Sequence, residues 1–244
     1  TTGEISKNIF LKYTSNVFNA NEICLDNFSN FKIDKYKKNN KINFIYTGRI
    51  ALEKNLSLII DILNNLKNTK FENYKMHFIG SGPYLKKLKK YISINDKIIF
   101  YGDTEYSQII DIYNNLDNRI FIQSSVSETF GKSTMEACYS GIPVFVLKCE
   151  IHDLLYNDNN SFIFENVTDF INQLSFFFKL NKTQKELIIN NGYNNAKKYD
   201  QKIIFNNLKD FILNINENSN NFYNEFFINN VFHGIKCGID YFQN

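Results

Sequence analysis

The sequence predicts an α/β fold, a Rossmann-like parallel sheet with helices on both faces. From Lys41 onward, short runs rich in β-branched and aromatic residues alternate with longer runs whose apolar residues recur at helical spacing. This alternation of strand and helix is typical of a parallel sheet that is covered on both sides. Because crossovers between parallel strands are right-handed, we expect the carboxyl ends of all strands to meet at one edge of the sheet.

Six segments are predicted to be strands, because each is short, β-branched or aromatic, and bounded by glycine or polar turns. In chain order they are Asn43–Tyr46, Lys75–Ile79, Lys97–Tyr101, Arg119–Ile122, Ile142–Leu147 and Ser161–Phe164. Helices are predicted between and after them, wherever apolar residues fall on one helical face. The helical runs are Leu56–Leu66, Leu85–Ile92, Ile109–Tyr113, a run that starts near Gly131, Phe170–Leu180, Thr183–Tyr199 and Phe205–Ile215.

The chain of 244 residues is 43% hydrophobic, enough for one sizeable core. We divide it into residues 1–40, interpreted as the tail of an amino-terminal domain and a linker, residues 41–215, the Rossmann-like domain, and residues 216–244, a second linker and an aromatic terminal segment. The first linker is placed at Lys35–Asn40, because that segment is polar and lacks periodicity. Since the chain begins with Thr1, we expect it to be processed or part of a longer protein.

Charge and composition argue against several classes of function. The net charge is +3 with lysines scattered among carboxylates, so no nucleic-acid-binding surface is predicted, and the cluster Lys86–Lys90 is interpreted as a solvated helix face. The four cysteines show no CxxC spacing, which favours buried free thiols in a reducing compartment, and the three histidines are too far apart to predict a metal site. No apolar run reaches the length of a membrane span, so we expect a cytoplasmic location, with peripheral membrane association as a second option.

The loop after the first strand is predicted to bind an anion. It contains Gly48, which permits a tight turn, and then Arg49 and Lys54 before the next helix. A guanidinium matches two phosphate oxygens, an ammonium adds a point charge, and a helix start offers unpaired backbone N–H groups. A surface salt-bridge pair is the alternative interpretation of the two cations.

Two further glycine-containing loops follow the second and third strands. The segment Gly80-Ser-Gly82-Pro83 is by itself more typical of a strand-to-helix turn than of a phosphate loop, since its spacing matches neither the Walker nor the dinucleotide pattern. Gly102 marks the turn after the third strand and is uninformative alone.

The most informative stretch is Ser127–Glu136, which carries Glu128 and Glu136 with seven residues between them. Glu128 is predicted in a loop and Glu136 about one and a half turns into the next helix, so both should face the crevice at the sheet edge. A carboxylate accepts two hydrogen bonds from a sugar diol, which suits Glu136 for ribose and Glu128 for a hexose. Backbone N–H groups at Phe130–Lys132 would meet an anionic or hydroxylated ligand. For Glu128, a carboxylate that interacts with the helix dipole is the alternative.

Taken together, these loops resemble those of one family. The motifs are Tyr46-Thr-Gly-Arg, Glu53-Lys-Asn, Phe78-Ile-Gly-Ser-Gly-Pro, Phe100-Tyr-Gly, Ser127-Glu-Thr-Phe-Gly, Met135-Glu-Ala and Ser140-Gly-Ile-Pro-Val. In order and spacing, from about Lys41 to Phe211, they resemble the retaining GT-B glycosyltransferases of family four, or glycosyltransferase group 1. The first loop is similar to that of the plant and bacterial sulfolipid-synthase-type members.

The resemblance implies the carboxyl-terminal, donor-binding half of a two-domain enzyme. It implies that Arg49 and Lys54 hold the diphosphate of a nucleotide-diphospho-sugar, that Glu128 positions the transferred sugar, and that Glu136 takes the ribose hydroxyls; the loop at Gly102 would lie against the base. The implied catalytic residues are Arg49, Lys54 and Glu128, and the implied donor-binding residues are Gly48, Gly80, Gly82, Gly102, Phe130, Gly131, Lys132 and Glu136. No metal or other cofactor is implied, because the two cations replace it electrostatically.

The implied reaction is transfer of a hexosyl-type sugar, with retention of configuration, to an unknown acceptor that is a glycan, a lipid or a protein. In this family the acceptor site belongs to the amino-terminal domain, so a separate domain or partner chain is implied. Two segments, Lys148–Asp153 and Asn157–Asn160, lack glycines that the family usually carries. A non-catalytic nucleotide-sugar-binding or partner-docking module and another GT-B-type enzyme, such as a sugar-nucleotide epimerase or a phosphorylase, remain as alternatives.

Overall fold

The computed structural model describes residues 33, 36, 41–91, 96–128, 130–149 and 155–217, with the backbone alone for 212–217. Within these residues six strands form one sheet. They are β1 (Ile42–Thr47), β2 (Tyr74–Ile79), β3 (Ile98–Gly102), β4 (Arg119–Gln123), β5 (Val144–Leu147) and β6 (Phe162–Phe164). Each predicted strand is confirmed, with its ends within about two residues of the predicted ones.

Seven α-helices occur in the described part of the chain, and each predicted helical run corresponds to one of them. They are α1 (Leu56–Asn65), α2 (Leu85–Tyr91), α3 (Tyr106–Asn115), α4 (Lys132–Tyr139), α5 (Val167–Lys179), α6 (Lys182–Lys197) and α7 (Gln201–Glu217). A short 3₁₀ turn at Leu52–Lys54, which the sequence did not predict, lies in the loop after β1. Because α7 continues to Glu217, the boundary predicted after residue 215 falls inside a helix, and Asn216 is helical rather than part of a linker.

The sheet has the strand order β3-β2-β1-β4-β5-β6, and all neighbouring strands are parallel. The order reverses between β1 and β4, since β2 and β3 lie on one side of β1 while β4, β5 and β6 lie on the other. At such a reversal the connections diverge and leave a crevice outside the carboxyl ends of the two central strands. The predicted parallel, Rossmann-like fold is therefore confirmed.

Helices cover both faces of the sheet, as predicted. Side chains alternate between the faces, so neighbours in one strand belong to different cores. Phe44 in β1 packs in the core under α1 and α5, whereas Ile45 packs in the core under α3 and α4. The first core is rich in aromatic contacts: the ring centroid of Phe145 lies 4.7 Å from that of Phe162 and 5.3 Å from that of Phe170.

Tyr36 lies against the domain, although the sequence places it in a linker. Its hydroxyl donates a hydrogen bond to the carbonyl oxygen of Arg119, at 2.9 Å. Its ring packs edge-on against Phe177, with centroids 4.9 Å apart. Tyr36 therefore packs against the core, although it lies in a run of polar residues. The composition of that run does not predict the contact.

The turn Asn157–Asn160 explains one departure from the resembled family. None of its residues has a positive φ, so the turn does not require glycine. The side chains of the turn hold it instead, since the Asn157 N–H donates to Asn160 Oδ1 and the Asn159 N–H donates to Asn157 Oδ1, both at 2.9 Å. The other departure, Lys148–Asp153, lies largely outside the described residues.

Predictions from composition have mixed outcomes. Cys138 is a buried free thiol as expected, but Cys149 is only half-buried. The four lysines of Lys86–Lys90 are exposed, as predicted. In the described part of the chain no helix has the length and apolar character needed to cross a bilayer, and no group of three or more His, Cys, Asp or Glu residues is placed to hold a metal ion. Cys24, Cys237 and the predictions for residues 1–32 and 218–244 lie outside the described residues.

Candidate functional site

A cleft of about 520 Å³ opens at the carboxyl ends of β1 and β4, where the strand order reverses. It brings together eight of the residues that the sequence singled out: Gly48, Arg49, Lys54, Glu128, Phe130, Gly131, Lys132 and Glu136. A larger groove of about 640 Å³ runs beside β3 and α3, between Tyr101 and Leu116, but none of the predicted site residues lines it. The chemistry predicted from the sequence is therefore concentrated in the smaller cleft.

The loop after β1 is held by backbone contacts with the last residue of β2 and with the loop that follows it. The Gly48 N–H donates to the carbonyl oxygen of Ile79 at 3.0 Å, and the Ile50 N–H donates to that of Ser81 at 2.8 Å. A contact within the same segment adds to these, since the hydroxyl of Tyr46, in β1, donates to the carbonyl oxygen of Arg49 at 3.0 Å. The backbone that carries Arg49 is thus fixed on both sides.

Gly80 and Gly82 lie behind this loop rather than in the cleft. A Cβ atom at Gly80 would stand 2.2 Å from the carbonyl oxygen of Gly48, and one at Gly82 would stand 2.3 Å from that of Ile50. The Gly80 N–H also donates to the carbonyl oxygen of Gly102 at 2.8 Å. Gly80, Gly82 and Gly102 do not line the cleft. Gly80 and Gly82 instead pack against the loop after β1, which lines it. Direct contact between them and a donor stays a prediction.

The two cations of the first loop differ in their surroundings. Arg49 donates to Glu53 in an exposed pair, and its side chain is 66% accessible. Lys54 reaches across the cleft to Glu128, with Nζ 2.7 Å from Oε1 and both side chains largely buried. The alternative of a surface salt bridge fits the Arg49–Glu53 pair but does not fit Lys54.

Glu128 is held by side chains from two other segments. Besides Lys54, the Gln123 Nε2 group at the end of β4 donates to Glu128 Oε1 at 3.1 Å. The backbone of Lys54 is fixed in turn, because the Ser124 hydroxyl donates to its carbonyl oxygen at 2.7 Å. Helix α4 has Gly131 as its N-cap and no acidic residue in its first turn. These contacts favour a role in the cleft over the helix-dipole alternative for Glu128.

Glu136 is a buried carboxyl on α4, with only 4% of its surface exposed. It accepts a hydrogen bond from the hydroxyl of Tyr106, the first residue of α3. Burial raises the pKa of Glu136 to about 7, against the opposing effects of the Tyr106 hydrogen bond and the charge of Lys132. A buried carboxyl that titrates near neutrality, beside a cleft, is typical of a functional site.

The cleft therefore places three cations and two carboxylates within one small volume. Arg49, Lys54 and Lys132 supply positive charge, to which the amino terminus of α4 adds its partial positive charge. Glu128 and Glu136 supply acceptors for hydroxyl groups. Such a site suits a ligand that carries both phosphate and sugar groups.

Five cleft residues were not predicted: Tyr46, Thr47, Tyr106, Gln123 and Ser133. Gln123 carried a signal that could have been used, because it is the polar residue that ends an otherwise apolar strand after Arg119. Tyr106 carried none, since its contact with Glu136 spans 30 positions and depends on how α3 meets α4.

Comparison with known proteins identifies the class. Residues 28–194 match the family model described as Glycosyl transferases group 1. The match covers more than half of the chain, so the chain belongs to this family. Its fold is that of GT-B glycosyltransferase structures, among them a mutant of TarM from Staphylococcus aureus in complex with Fondaparinux, alpha-GlcNAc-glycerol and UDP, with a TM-score of 0.64 and 18% identity over 86% of this chain and 42% of that one.

Particular relatives are the sulfoquinovosyl transferase of Arabidopsis thaliana, 29% identical over 162 residues, and the alpha-monoglucosyldiacylglycerol synthase of Streptococcus pneumoniae, 28% identical over 130 residues. The matches cover 64% and 52% of this chain but only 30% and 29% of those proteins. The chain thus spans about a third of the length of these relatives. It also resembles the C-terminal domain of a glycosyl transferase group 1 family protein from Francisella tularensis, with a TM-score of 0.54 and 20% identity, over 71% of this chain and 97% of that domain.

Proposed function

We propose that this chain is the donor-binding half of a retaining glycosyltransferase whose donor is a nucleotide-diphospho-sugar. Family membership supports glycosyl transfer as the activity. The likeness to an isolated C-terminal domain, almost all of which is covered, supports a carboxyl-terminal position in a longer enzyme. The acceptor, which is a glycan, a lipid or a protein, would then bind mainly to another domain or chain.

The single observation that carries the proposal is the convergence of Arg49, Lys54, Glu128 and Glu136 on one cleft. These residues come from two loops and one helix, and they are brought together only because β1 and β4 are neighbours in the sheet. Scattered over different surfaces, the same four residues would be ordinary exposed charges.

In this proposal Arg49 and Lys54 bind the diphosphate. Both cations already hold a carboxylate in the ligand-free chain, Arg49 at Glu53 and Lys54 at Glu128. The phosphate oxygens would take over these hydrogen bonds, and the resulting charge-assisted contacts would stabilise the nucleoside diphosphate as it leaves. Lys132 and the start of α4 would add to the positive potential.

The carboxylates bind the two sugars. Once the diphosphate engages Lys54, Glu128 can accept hydrogen bonds from hydroxyl groups of the transferred sugar. Glu136, further into the cleft, accepts those of the ribose. In the transfer step, the bond between the anomeric carbon and the phosphate oxygen breaks while the acceptor oxygen bonds to the same face of that carbon. The departing phosphate takes the acceptor proton, so neither a protein nucleophile nor a metal ion is part of the proposal.

Binding of UDP, GDP and ADP, with and without an attached sugar, tests the proposal directly. A nucleotide at 100 times its dissociation constant should raise the unfolding free energy by about 2.7 kcal/mol, which a thermal-shift measurement detects. If none of these nucleotides stabilises the chain, the proposal is wrong. Binding without turnover in the complete protein would favour the non-catalytic alternative.

Arg49→Ala and Lys54→Ala should each weaken nucleotide binding by about 1.5–3 kcal/mol, because each removes a hydrogen bond to a charged group. Isothermal titration of the best-bound nucleoside diphosphate measures the change. Lys182→Ala is the matched control, since Lys182 forms an exposed pair with Glu186, four positions away as Glu53 is from Arg49, but does not line the cleft. Equal affinities for the cleft variants and the control would contradict the assigned roles.

A further inference from the structure

Tyr106, the first residue of α3, directly contacts Glu136, one of the two carboxylates that are proposed to bind the ligand. Its hydroxyl donates to Glu136 Oε1, and both residues line the cleft. The start of α3 is itself fixed by a capping contact, in which the Glu105 N–H donates to Gln108 Oε1 at 3.2 Å. Tyr106 is therefore presented to Glu136 by a well-defined helix terminus.

We infer that Tyr106 is a positioning residue of the donor site, whose hydroxyl orients the Glu136 carboxylate and favours the ionised form that a ribose diol requires. The inference rests on the proposed function, because it assigns Glu136 to ribose. An ionised carboxylate accepts a hydrogen bond on each oxygen, whereas a protonated one carries its own donor and loses part of its acceptor capacity. A hydrogen bond that is donated to a buried carboxylate favours its ionised form against the cost of burial.

Other charged and titratable groups around Glu136 belong to α3, α4, β1 and the loops after β1 and β4. Lys132 lies one turn earlier on α4, and Tyr113 lies on α3, where its hydroxyl is 2.9 Å from Thr47 Oγ1. The remaining groups that line the cleft are Arg49, Lys54, Tyr46 and Glu128. Among the described contacts, the Tyr106 hydroxyl is the side-chain donor to the Glu136 carboxyl.

The test is nucleotide affinity as a function of pH in the full chain and in Tyr106→Phe. The substitution keeps the ring and removes only the hydroxyl. Wild-type affinity for UDP, GDP or ADP should fall as the pH drops through about 7, and the midpoint should move up by about one pH unit in Tyr106→Phe. Binding should then be about fivefold weaker at pH 7 and close to wild type at pH 9. Since the same nucleotide is used throughout, its own phosphate ionisation cancels in the comparison.

Tyr101→Phe is the matched control. The Tyr101 hydroxyl also lies within hydrogen-bond distance of a buried titratable side chain, Nδ1 of His77 at 3.0 Å, but Tyr101 lies outside the cleft. Its removal should leave the pH profile of binding unchanged. Glu136→Gln should bind weakly, with a profile that lacks the transition near pH 7.

Three outcomes would overturn the inference. An unchanged profile in Tyr106→Phe would show that the hydroxyl does not act through Glu136, and an equal loss at every pH would assign it to direct ligand contact or packing. If wild type binds none of the nucleotides, both the proposed function and the inference are wrong. If wild type binds a nucleotide but the pH midpoint does not shift in Tyr106→Phe, only the inference is wrong.

A second measurement does not depend on ligand. The ¹³C chemical shift of the Glu136 carboxyl, followed against pH in the ligand-free chain, should show titration at higher pH in Tyr106→Phe than in wild type. Titration at the same pH in both proteins overturns the inference. The spectra also report whether the variant is folded.

Discussion

At the scale of single residues, Glu136 shows a conflict between stability and function. Its carboxyl is almost fully buried, and burial raises its pKa from 4.5 to about 7. An apolar or amide side chain at this position would avoid the desolvation of a charge. We therefore attribute the glutamate to the ligand that the cleft is proposed to bind, rather than to packing of α4.

This conflict predicts a stability that depends on pH. Between about pH 4.5 and pH 7 the folded chain keeps a proton on Glu136 that the unfolded chain has released, so the contribution of Glu136 to the unfolding free energy falls as the pH rises through this window. Glu136→Gln lacks this term and should be more stable than wild type at pH 8, by on the order of 3 kcal/mol, but not at pH 4.5. Urea unfolding of both proteins at the two pH values measures the difference.

The comparison with Glu136→Gln isolates the carboxyl from other buried groups. Burial and the nearby charges of Lys75 and Lys41 lower the pKa of His77 to about 4, so His77 makes stability rise with pH between about 4 and 6.5. The contribution of His77 is the same in wild type and in Glu136→Gln, so it cancels when their unfolding free energies are compared. A stability difference that does not change with pH would show that Glu136 is not the titrating group.

At the scale of elements, the loops after β1 and β2 form one packed unit. The resemblance implies that Gly48, Gly80 and Gly82 bind the donor, and the structure gives Gly80 and Gly82 a second role, because each permits a close approach of the two backbones. That approach fixes the loop that carries Arg49, so these glycines affect the cleft without lining it. A sequence motif does not show whether a glycine makes room for a ligand or for the backbone of another loop.

Gly80→Ala should destabilise the fold by about 3 kcal/mol or more. The new Cβ would lie 2.2 Å from the Gly48 carbonyl oxygen, and φ at this position is +126°. Gly102→Ala is the matched comparison: its φ is +78°, yet no atom lies within 4 Å of the added Cβ, so it should cost only about 1–2 kcal/mol. Chemical denaturation measures both, and similar losses would contradict the close approach.

At the scale of the whole molecule, an aromatic core joins the sheet to α5 and to Tyr36. The ring of Phe177 lies 5.2 Å from that of Phe162 and 4.9 Å from that of Tyr36, measured between centroids. It also meets Phe145 edge-on at 6.1 Å. One side chain thus contacts two strands and a residue that precedes β1.

Phe177→Ala should lower the unfolding free energy by about 3–5 kcal/mol, because it removes a fully buried ring and leaves a cavity. Phe176→Ala is the control on the adjacent position of α5; Phe176 is 52% exposed, so removal of its ring should change stability by no more than about 0.5 kcal/mol. Thermal or urea unfolding of the two variants tests the assignment. A comparable loss in both would mean that α5 packs with a different face.

The fold and most of the cleft residues were predictable because the signals that indicate them lie within short stretches of the sequence. Strand and helix periods record which side chains are buried, and the loops around Arg49 and Glu128 carry residue types that suit phosphate and sugar ligands. The position of Tyr36 was not predictable, because a single ring in a polar run produces no period. The structural role of Gly80 was not predictable either, because it depends on the neighbouring loop.

By itself the sequence determined the alternation of six strands with helices, the membership in glycosyl transferase group 1 and the identity of the charged groups at one sheet edge. Only the tertiary structure decided which of these groups meet: Lys54 pairs with Glu128 across 74 positions, and Glu136 with Tyr106 across 30. The physical reason is that periodicity encodes burial, which is local, whereas side-chain contacts depend on strand order and on how helices from distant segments converge. The pKa of Glu136 follows mainly from its burial and only then from its contact with Tyr106, so its charge state is likewise a property of the folded molecule.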